Sequence, residues 1–371
     1  MADLSIRLLG PADRLSARRV WLELERQLGD VGLACSWEWT DLWLDHFGDV
    51  VGHDFAVVTE GSVPRAVLLL TRGVGRTRHR IPVNTLHFGT AGEPQDDSIY
   101  VENNRVLVAP GKRRAVADVV LAAVYQDASW DELRLDGFAP EDAESFLAAD
   151  HELEPRFEPC PTVDLRAADQ QNGDVLSILT SNTRYQVRRS IRAFGGVQGE
   201  WAETLDDAFD IFDELVELHQ ERWRAAGRRG VFASDRFREF QRSLVRRLFS
   251  KGAICLYRAR SPLGTLGCLY SFIERGNVFS YQLGLARFAD NKMKPGFVTH
   301  ALCMQDSYAR GFSDYNFLAD ASPWKRELAT TERQLVWAVA TRPRLKIRFA
   351  DALGATRRLT GRTRSRANVQ G

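Results

Sequence analysis

Val278-Phe-Ser-Tyr-Gln-Leu-Gly-Leu285, then Ala286-Arg-Phe-Ala-Asp-Asn-Lys-Met-Lys294, then Pro295-Gly296 is the stretch that decides how this chain is read. The first eight residues are rich in aromatic and aliphatic side chains, the composition of a strand. The nine that follow are polar and basic, as a loop is. Pro295 suits the first position of a helix, because its missing N–H is one that a helix start leaves unpaired anyway. The spacing predicts that this helix runs through Arg310 and stops at Gly311. A second strand, Asp314-Tyr-Asn-Phe-Leu318, then leads into Asp320-Ala-Ser-Pro-Trp-Lys325. A strand feeding a helix N-terminus across a basic loop is one way to hold a phosphate, since free backbone N–H groups and the helix dipole face the anion.

Upstream, three strand-like runs form a predicted meander: Ala253 to Arg260, Thr265 to Glu274 and Val278 to Leu285, parted by Ser261-Pro-Leu-Gly264 and Arg275-Gly-Asn277. Three helices precede it. The first runs from a Ser181 or Asn182 cap to Phe194 and is stopped by Gly195-Gly196. The second spans Asp206 to Ala226, with Ala208, Phe209, Phe212, Leu215, Val216, His219 and Trp223 at helical spacing. The third, Asp235 to Ser250, is capped by Ser234. Thr331 to Ala340 reads as a strand that closes the sheet.

The first part of the chain alternates in the same way. Asp13 to Leu28 and Trp37 to Phe47 are predicted helices, and Phe55–Glu60 with Arg65–Thr71 a hairpin across Gly61-Ser-Val-Pro64. A strand at Leu86, a helix from Ala115 to Ala128 and a short strand from Glu132 follow. Pro155-Arg-Phe-Glu-Pro-Cys-Pro161 denies a helix and suits an extended connector. The fold class is therefore α/β (mixed α+β), with domains at residues 1–155 and 176–350, a connector at 156–175, and a basic tail at 351–371 expected to be disordered at its end.

Composition narrows the function. The net charge of +1 excludes a general polyanion binder, so any anion site has to be local. Five widely spaced cysteines form no CxxC pair, which argues against zinc knuckles and redox motifs. No P-loop, G-x-S-x-G or H-E-x-x-H occurs. The longest apolar run, Ala66-Val-Leu-Leu-Leu70, is too short to span a bilayer, and the start lacks a signal-peptide pattern, so a cytoplasmic location is expected.

Leu218-His-Gln-Glu-Arg-Trp223, Thr183-Arg184 with Arg188-Arg189, Pro295-Gly296 and Lys325, in this order along the chain, resemble the acetyltransferase-like domain of GNAT-superfamily proteins of the CelD/BcsL and FemAB type. The resemblance is concentrated in residues 180–326. It implies two GNAT-like domains, each a mostly antiparallel, centrally splayed sheet flanked by helices, the first degenerate. It further implies N-acyl transfer from acyl-CoA, acetyl-CoA first, to an amine of an amino sugar, amino acid or small metabolite, with links to exopolysaccharide or cell-envelope synthesis and its enzymes. The usual coenzyme fingerprint R/Q-x-x-G-x-G/A is absent, because Arg287 and Gly296 do not stand at its spacing. An aminoacyl-tRNA donor, as in FemAB proteins, or a non-catalytic accessory role therefore remain alternatives. No metal, DNA or membrane span is expected.

Lys292, Lys294, Pro295 and Gly296 are the candidate coenzyme-phosphate site, joined by Arg184 and Arg188 of a basic helix face. His219 is either a general base or a buried structural histidine. Arg222 and Trp223 are candidates for positioning substrate. Tyr281 is a candidate for protonating the leaving thiolate, Asp320 an alternative base, and Lys325 a candidate for neutralising an oxyanion.

Overall fold

The computed structural model describes residues 4–354 except Asp30 and Asn291. The basic tail beyond 354 lies outside the described residues. Residues 345–354 are helical, so the first four positions assigned to that tail continue a helix instead.

The chain divides into two compact units, residues 1–31, 47–156 and 336–371 in one, and 32–46 and 157–335 in the other. This division is not linear, unlike the one expected from the sequence. Residues 32–46 join the second unit because Trp39 packs edge-on to Phe240 and Phe272, Arg247 pairs with Asp41, and Leu33 N–H donates to Glu274. Residues from Val336 join the first because they form a ladder with Glu132–Phe138.

In the first unit the sheet runs Leu4–Leu9, His53–Glu60, Val63–Arg72, Thr85–Phe88, Glu132–Phe138, then residues 336–341 of Thr331–Thr341. All these neighbours are antiparallel except Thr85–Phe88 with Glu132–Phe138, which are parallel. Helices Arg14–Leu28, Arg113–Gln126 and Pro140–Ala149 accompany it. Its core includes Val58, Leu68, Phe88, Val120, Leu135 and Phe138.

The second unit repeats this plan. From the edge its sheet runs Gln198–Trp201, Ile254–Ser261, Gly264–Glu274, Asn277–Leu285, Asp314–Asn316, then the later residues of Glu154–Asp164. Again one neighbouring pair is parallel, Asn277–Leu285 with Asp314–Asn316. Helices Leu205–Ala225 and Asp235–Leu248 cover one face, where Phe212 meets Tyr270 edge-on and Gln241 reaches Tyr281. Helices Ser181–Ala193 and Pro295–Ala309 cover the other with Val187, Val298, Ala301 and Met304. Each unit is thus a GNAT-like, mostly antiparallel sheet flanked by helices.

One helix start differs from the sequence reading, and another has a cap for which the sequence reading named no residue. The basic helix is capped by Thr180, which accepts from Thr183 N–H, not by Ser181 or Asn182. The long helix begins with a reciprocal Thr204–Asp207 capping box, satisfying two otherwise orphaned donors.

Candidate active site

In the second unit the parallel ladder stops after three residue pairs, at Phe279 and Asn316. On its other edge, the same strand pairs Ser280 with Ser271 and Gln282 with Tyr270, so Tyr281 is an extra residue with no counterpart. Such a bulge bends a strand and increases its twist. It falls immediately after the last parallel pair, which is why Ser280–Leu285 parts from Asp314–Asn316 there. Beyond the bulge the strand is held from both faces. Gly284 lies against the Leu215 backbone, where an added Cβ would come within 2.5 Å of the carbonyl oxygen, and Leu285 lies against Gly296.

The corresponding gap in the first unit is closed. Where Thr85–Phe88 ends, the Asn104 side chain donates to Phe88 O at 2.7 Å, and its backbone N–H donates to Gly137 O at 2.9 Å. Gly89, at φ +95°, is pressed so closely by the Asn104 amide that a Cβ would lie 2.5 Å from it. Thr85–Phe88 is wholly buried, whereas Ser280 to Leu283 are only half-buried.

At the vertex of the open split sits a residue absent from the sequence candidates. His300, on the Pro295–Ala309 helix, is 1% exposed. Its Nδ1 lies 2.9 Å from the Tyr315 hydroxyl, and its ring stacks on Trp324 with centroids 5.3 Å apart. Phe317 meets it edge-on. Burial first, and the Lys325 charge second, push its pKa down to about 3, so the imidazole is neutral. These rings fill the vertex itself, and farther out along the split Leu285 packs on Gly296.

On the opposite face Tyr281 stands among Tyr270 and Phe272, and its hydroxyl accepts from Gln241 Nε2 at 3.2 Å. Among the described residues of this unit, the buried side-chain polar atoms without a hydrogen-bond partner are Gln241 Oε1, Tyr270 Oη, Ser271 Oγ, His300 Nε2 and Ser322 Oγ. Tyr270 and Ser271 oppose the bulge, Gln241 contacts it, His300 fills the vertex, and Ser322 immediately precedes the Pro323–Leu328 helix that carries Trp324. Buried polar groups are ordinarily satisfied; these orphans lie on both faces of the sheet, Gln241 and Tyr270 on the Tyr281 face and His300 on the other, and the first unit has five of its own among the described residues, on Arg76, Arg105, Asp131, Arg134 and Arg342.

The expected site residues fall around this split in three groups. The loop before Pro295 is braced by the basic helix: Arg189 donates to Lys292 O at 2.8 Å, and Lys294 N–H donates to Ser190 Oγ at 3.2 Å. Lys292 is exposed and Lys294 half-buried. Arg184 is directed elsewhere, donating to the carbonyls of Ser177 and Leu179, and Arg188 pairs with Asp174. The second group lies on Leu205–Ala225. His219 is one turn beyond Leu215, buried, bonded to Gln220 at 3.1 Å and edge-on to Phe232; burial lowers its pKa. Arg222 is exposed, and Trp223 packs beside His219 with Arg228 over its ring. In the third group, Lys325 Nζ donates to Ala319 O at 2.6 Å, while Asp320 is exposed at φ +79°.

His300, Tyr315, Gln241 and Tyr270 are missed by the sequence reading. Each is a single polar residue in an apolar or amphipathic run, and only the three-dimensional fold brings them to the bulge. A separate surface cavity of about 500 Å3 is lined by Gly195–Gln198 and Arg260–Pro262, and contains none of the candidate residues.

Residues 181–326 match a family model described as an acetyltransferase (GNAT) domain. No curated protein matches. Among solved structures, FemX superposes with a TM-score of 0.56 at 9% identity, covering 89% of this chain and 96% of that one. The C-terminal DUF2156 domain of an Agrobacterium fabrum protein described as a lysylphosphatidylglycerol synthetase gives 0.54 at 13% identity, covering 91% and 96%. L-PGS from Bacillus licheniformis gives 0.50 at 12% identity, covering 93% and 97%. At these identities the likeness is one of fold. No group of residues able to hold a metal ion and no helix long and apolar enough to cross a membrane occur among the described residues.

Proposed function

We propose that the chain is a GNAT-type N-acyltransferase of the CelD/BcsL kind, moving an acyl group from acyl-CoA to an amine through the split in its second unit. The observation that carries this reading is the Tyr281 bulge, with orphaned buried polar atoms on both faces of the sheet around it, beside a split that the first unit fills with Asn104. The coenzyme phosphates are received by the N–H of Gly296 at the helix start, Pro295 having none to give, with Lys292 and Lys294 supplying charge beside it. Arg188 adds charge at longer range; Arg184 acts by bracing the segment before the basic helix.

The acceptor amine approaches from the face of Leu205–Ala225 and Asp235–Leu248. Gln241 gives its N–H to Tyr281, which leaves Oε1, together with Tyr270 Oη, as acceptors for an amine's N–H groups. The amine nitrogen attacks the thioester carbon, the C–S bond breaks, and Tyr281 supplies a proton to the departing sulfur. Holding the two reactants together supplies much of the acceleration. His219, with its pKa lowered, serves as base through solvent, with Asp320 the alternative; Arg222 and Trp223 border the acceptor and Lys325 the acyl end. An amino sugar in exopolysaccharide or cell-envelope synthesis is the first acceptor to try.

The test is a thermal-shift screen with acetyl-CoA, longer acyl-CoAs and free CoA. A ligand at a hundredfold its Kd stabilises by about 2.7 kcal/mol. Stabilisation lost in Lys294→Glu/Gly296→Asp supports the reading. Salt-sensitive binding of aminoacyl-tRNA, without any response to acyl-CoA, would instead favour the aminoacyl-transfer alternative.

A further inference from the structure

The acyl-transfer reading leaves open which group meets the oxygen of the thioester when it takes up negative charge. Backbone and Lys325 are obvious places to look, but Lys325 already holds Ala319 O. His300 differs from every other side chain at the vertex. It is fully buried, its Nδ1 is engaged by Tyr315, and its Nε2 has no partner. Trp324 covers a face of the ring, and Phe317 meets it edge-on.

Of the two tautomers that the Tyr315 contact allows, we take the one in which the phenol donates to Nδ1. Burial keeps that phenol protonated, with a pKa well above the usual value. A phenol hydrogen given to Nδ1 leaves the imidazole hydrogen on Nε2, an assignment made from the partners. The result is a neutral N–H donor in a dry site with nothing to bond. A neutral imidazole whose pKa is depressed polarises a carbonyl without surrendering its proton, as happens on the unrelated fold of triosephosphate isomerase.

We propose that His300 is a catalytic residue whose Nε2–H donates a hydrogen bond to the acyl carbonyl oxygen of the donor thioester. The proposal rests on the acyl-transfer reading above and adds to it the group that stabilises the intermediate. As the amine nitrogen bonds to the carbonyl carbon, the C=O π pair moves to oxygen, which accepts a hydrogen bond from Nε2–H. The pair then returns to re-form C=O, the C–S bond breaks, and its electrons leave on sulfur. His219 takes the amine's surplus proton through solvent, Tyr281 gives one to the sulfur, and return of the first proton to Tyr281 through solvent closes the balance; the His300 proton stays where it was. Such a donor acts by being in place before charge develops. Seating the carbonyl requires the Trp324-bearing helix Pro323–Leu328 to yield, and Lys325 with Ala319 is the contact that pins it.

The full chain, labelled with 15N-histidine, is titrated with acetyl-CoA and with S-ethyl-CoA, a thioether that lacks only the carbonyl oxygen. The Nε2–H signal of His300, identified by its loss in His300→Gln, is expected to be present and to shift with acetyl-CoA but not with S-ethyl-CoA. Calorimetry is expected to give a preference for acetyl-CoA of about fivefold, the worth of one buried neutral hydrogen bond. That preference falls to unity in His300→Phe and persists in His300→Gln, whose amide retains a donor. Should His300→Phe fold poorly, Tyr315→Phe, which frees Nδ1, is expected to weaken the preference in the same way. Binding of both ligands with no selective shift at His300, or an unprotonated Nε2, overturns this assignment alone. Failure of the wild type to bind either ligand overturns the acyl-CoA reading and this assignment with it.

Discussion

Gly284 is where the split is most tightly held, because the Leu215 backbone leaves no room for a side chain there. Gly284→Ala is expected to destabilise the chain by about 1–3 kcal/mol in urea unfolding, the usual cost of overpacking. Arg258, 4% exposed, binds Glu200, Asp210 and Glu214 together, and its removal leaves three carboxylates facing one another. Arg258→Ala should therefore cost about 1–3 kcal/mol, measured the same way, solvent at Glu200 and Asp210 screening part of the repulsion. His300 makes stability depend on pH. Its folded pKa, about 3, lies below its unfolded value, so its contribution is fully present above about pH 6.5 and is lost progressively as pH falls toward 3. Unfolding measured at pH 7 and pH 4 is expected to show a smaller loss in His300→Gln than in the wild type, Tyr315 and Lys325 being the groups that face the ring. An equal loss would mean the imidazole is not held neutral.

At the scale of elements, the bulge does what regular pairing would prevent. Deleting Tyr281 would restore a continuous register with Tyr270 and Ser271, and is expected to abolish acyl-CoA stabilisation more severely than Tyr281→Phe, which keeps the bulge. Much at this scale is legible in the amino-acid sequence. Gly264 and Gly276 punctuate the meander, Pro295 opens its helix and Gly311 follows its end, because each of these acts through local backbone geometry. The bulge is not legible in that way: Tyr281 and Gln282 alternate like any strand residues, and the extra residue appears only against Tyr270 and Ser271. Nor does spacing reveal that Arg184 turns toward Ser177 and Leu179, since the basic stripe looks the same whether it faces a phosphate or two carbonyls. His300 reads as an apolar-helix residue until Tyr315 and Trp324, 15 and 24 positions later, close on it.

At the scale of the whole chain, two units with one plan have different interiors at the corresponding place. The first fills the gap beside Gly89 with Asn104; the second keeps a bulge, a basic loop and unsatisfied polar atoms there. Asn104→Ala is accordingly expected to destabilise the first unit, through the loss of the buried hydrogen bond to Phe88 O, by about 1–3 kcal/mol, while leaving the affinity for acetyl-CoA unchanged. The most direct test of the central claim is an isothermal titration of the full chain with acetyl-CoA. One molecule bound per chain, lost in Lys294→Glu/Gly296→Asp, is the predicted result; two molecules per chain, none, or binding that survives that double substitution would contradict it.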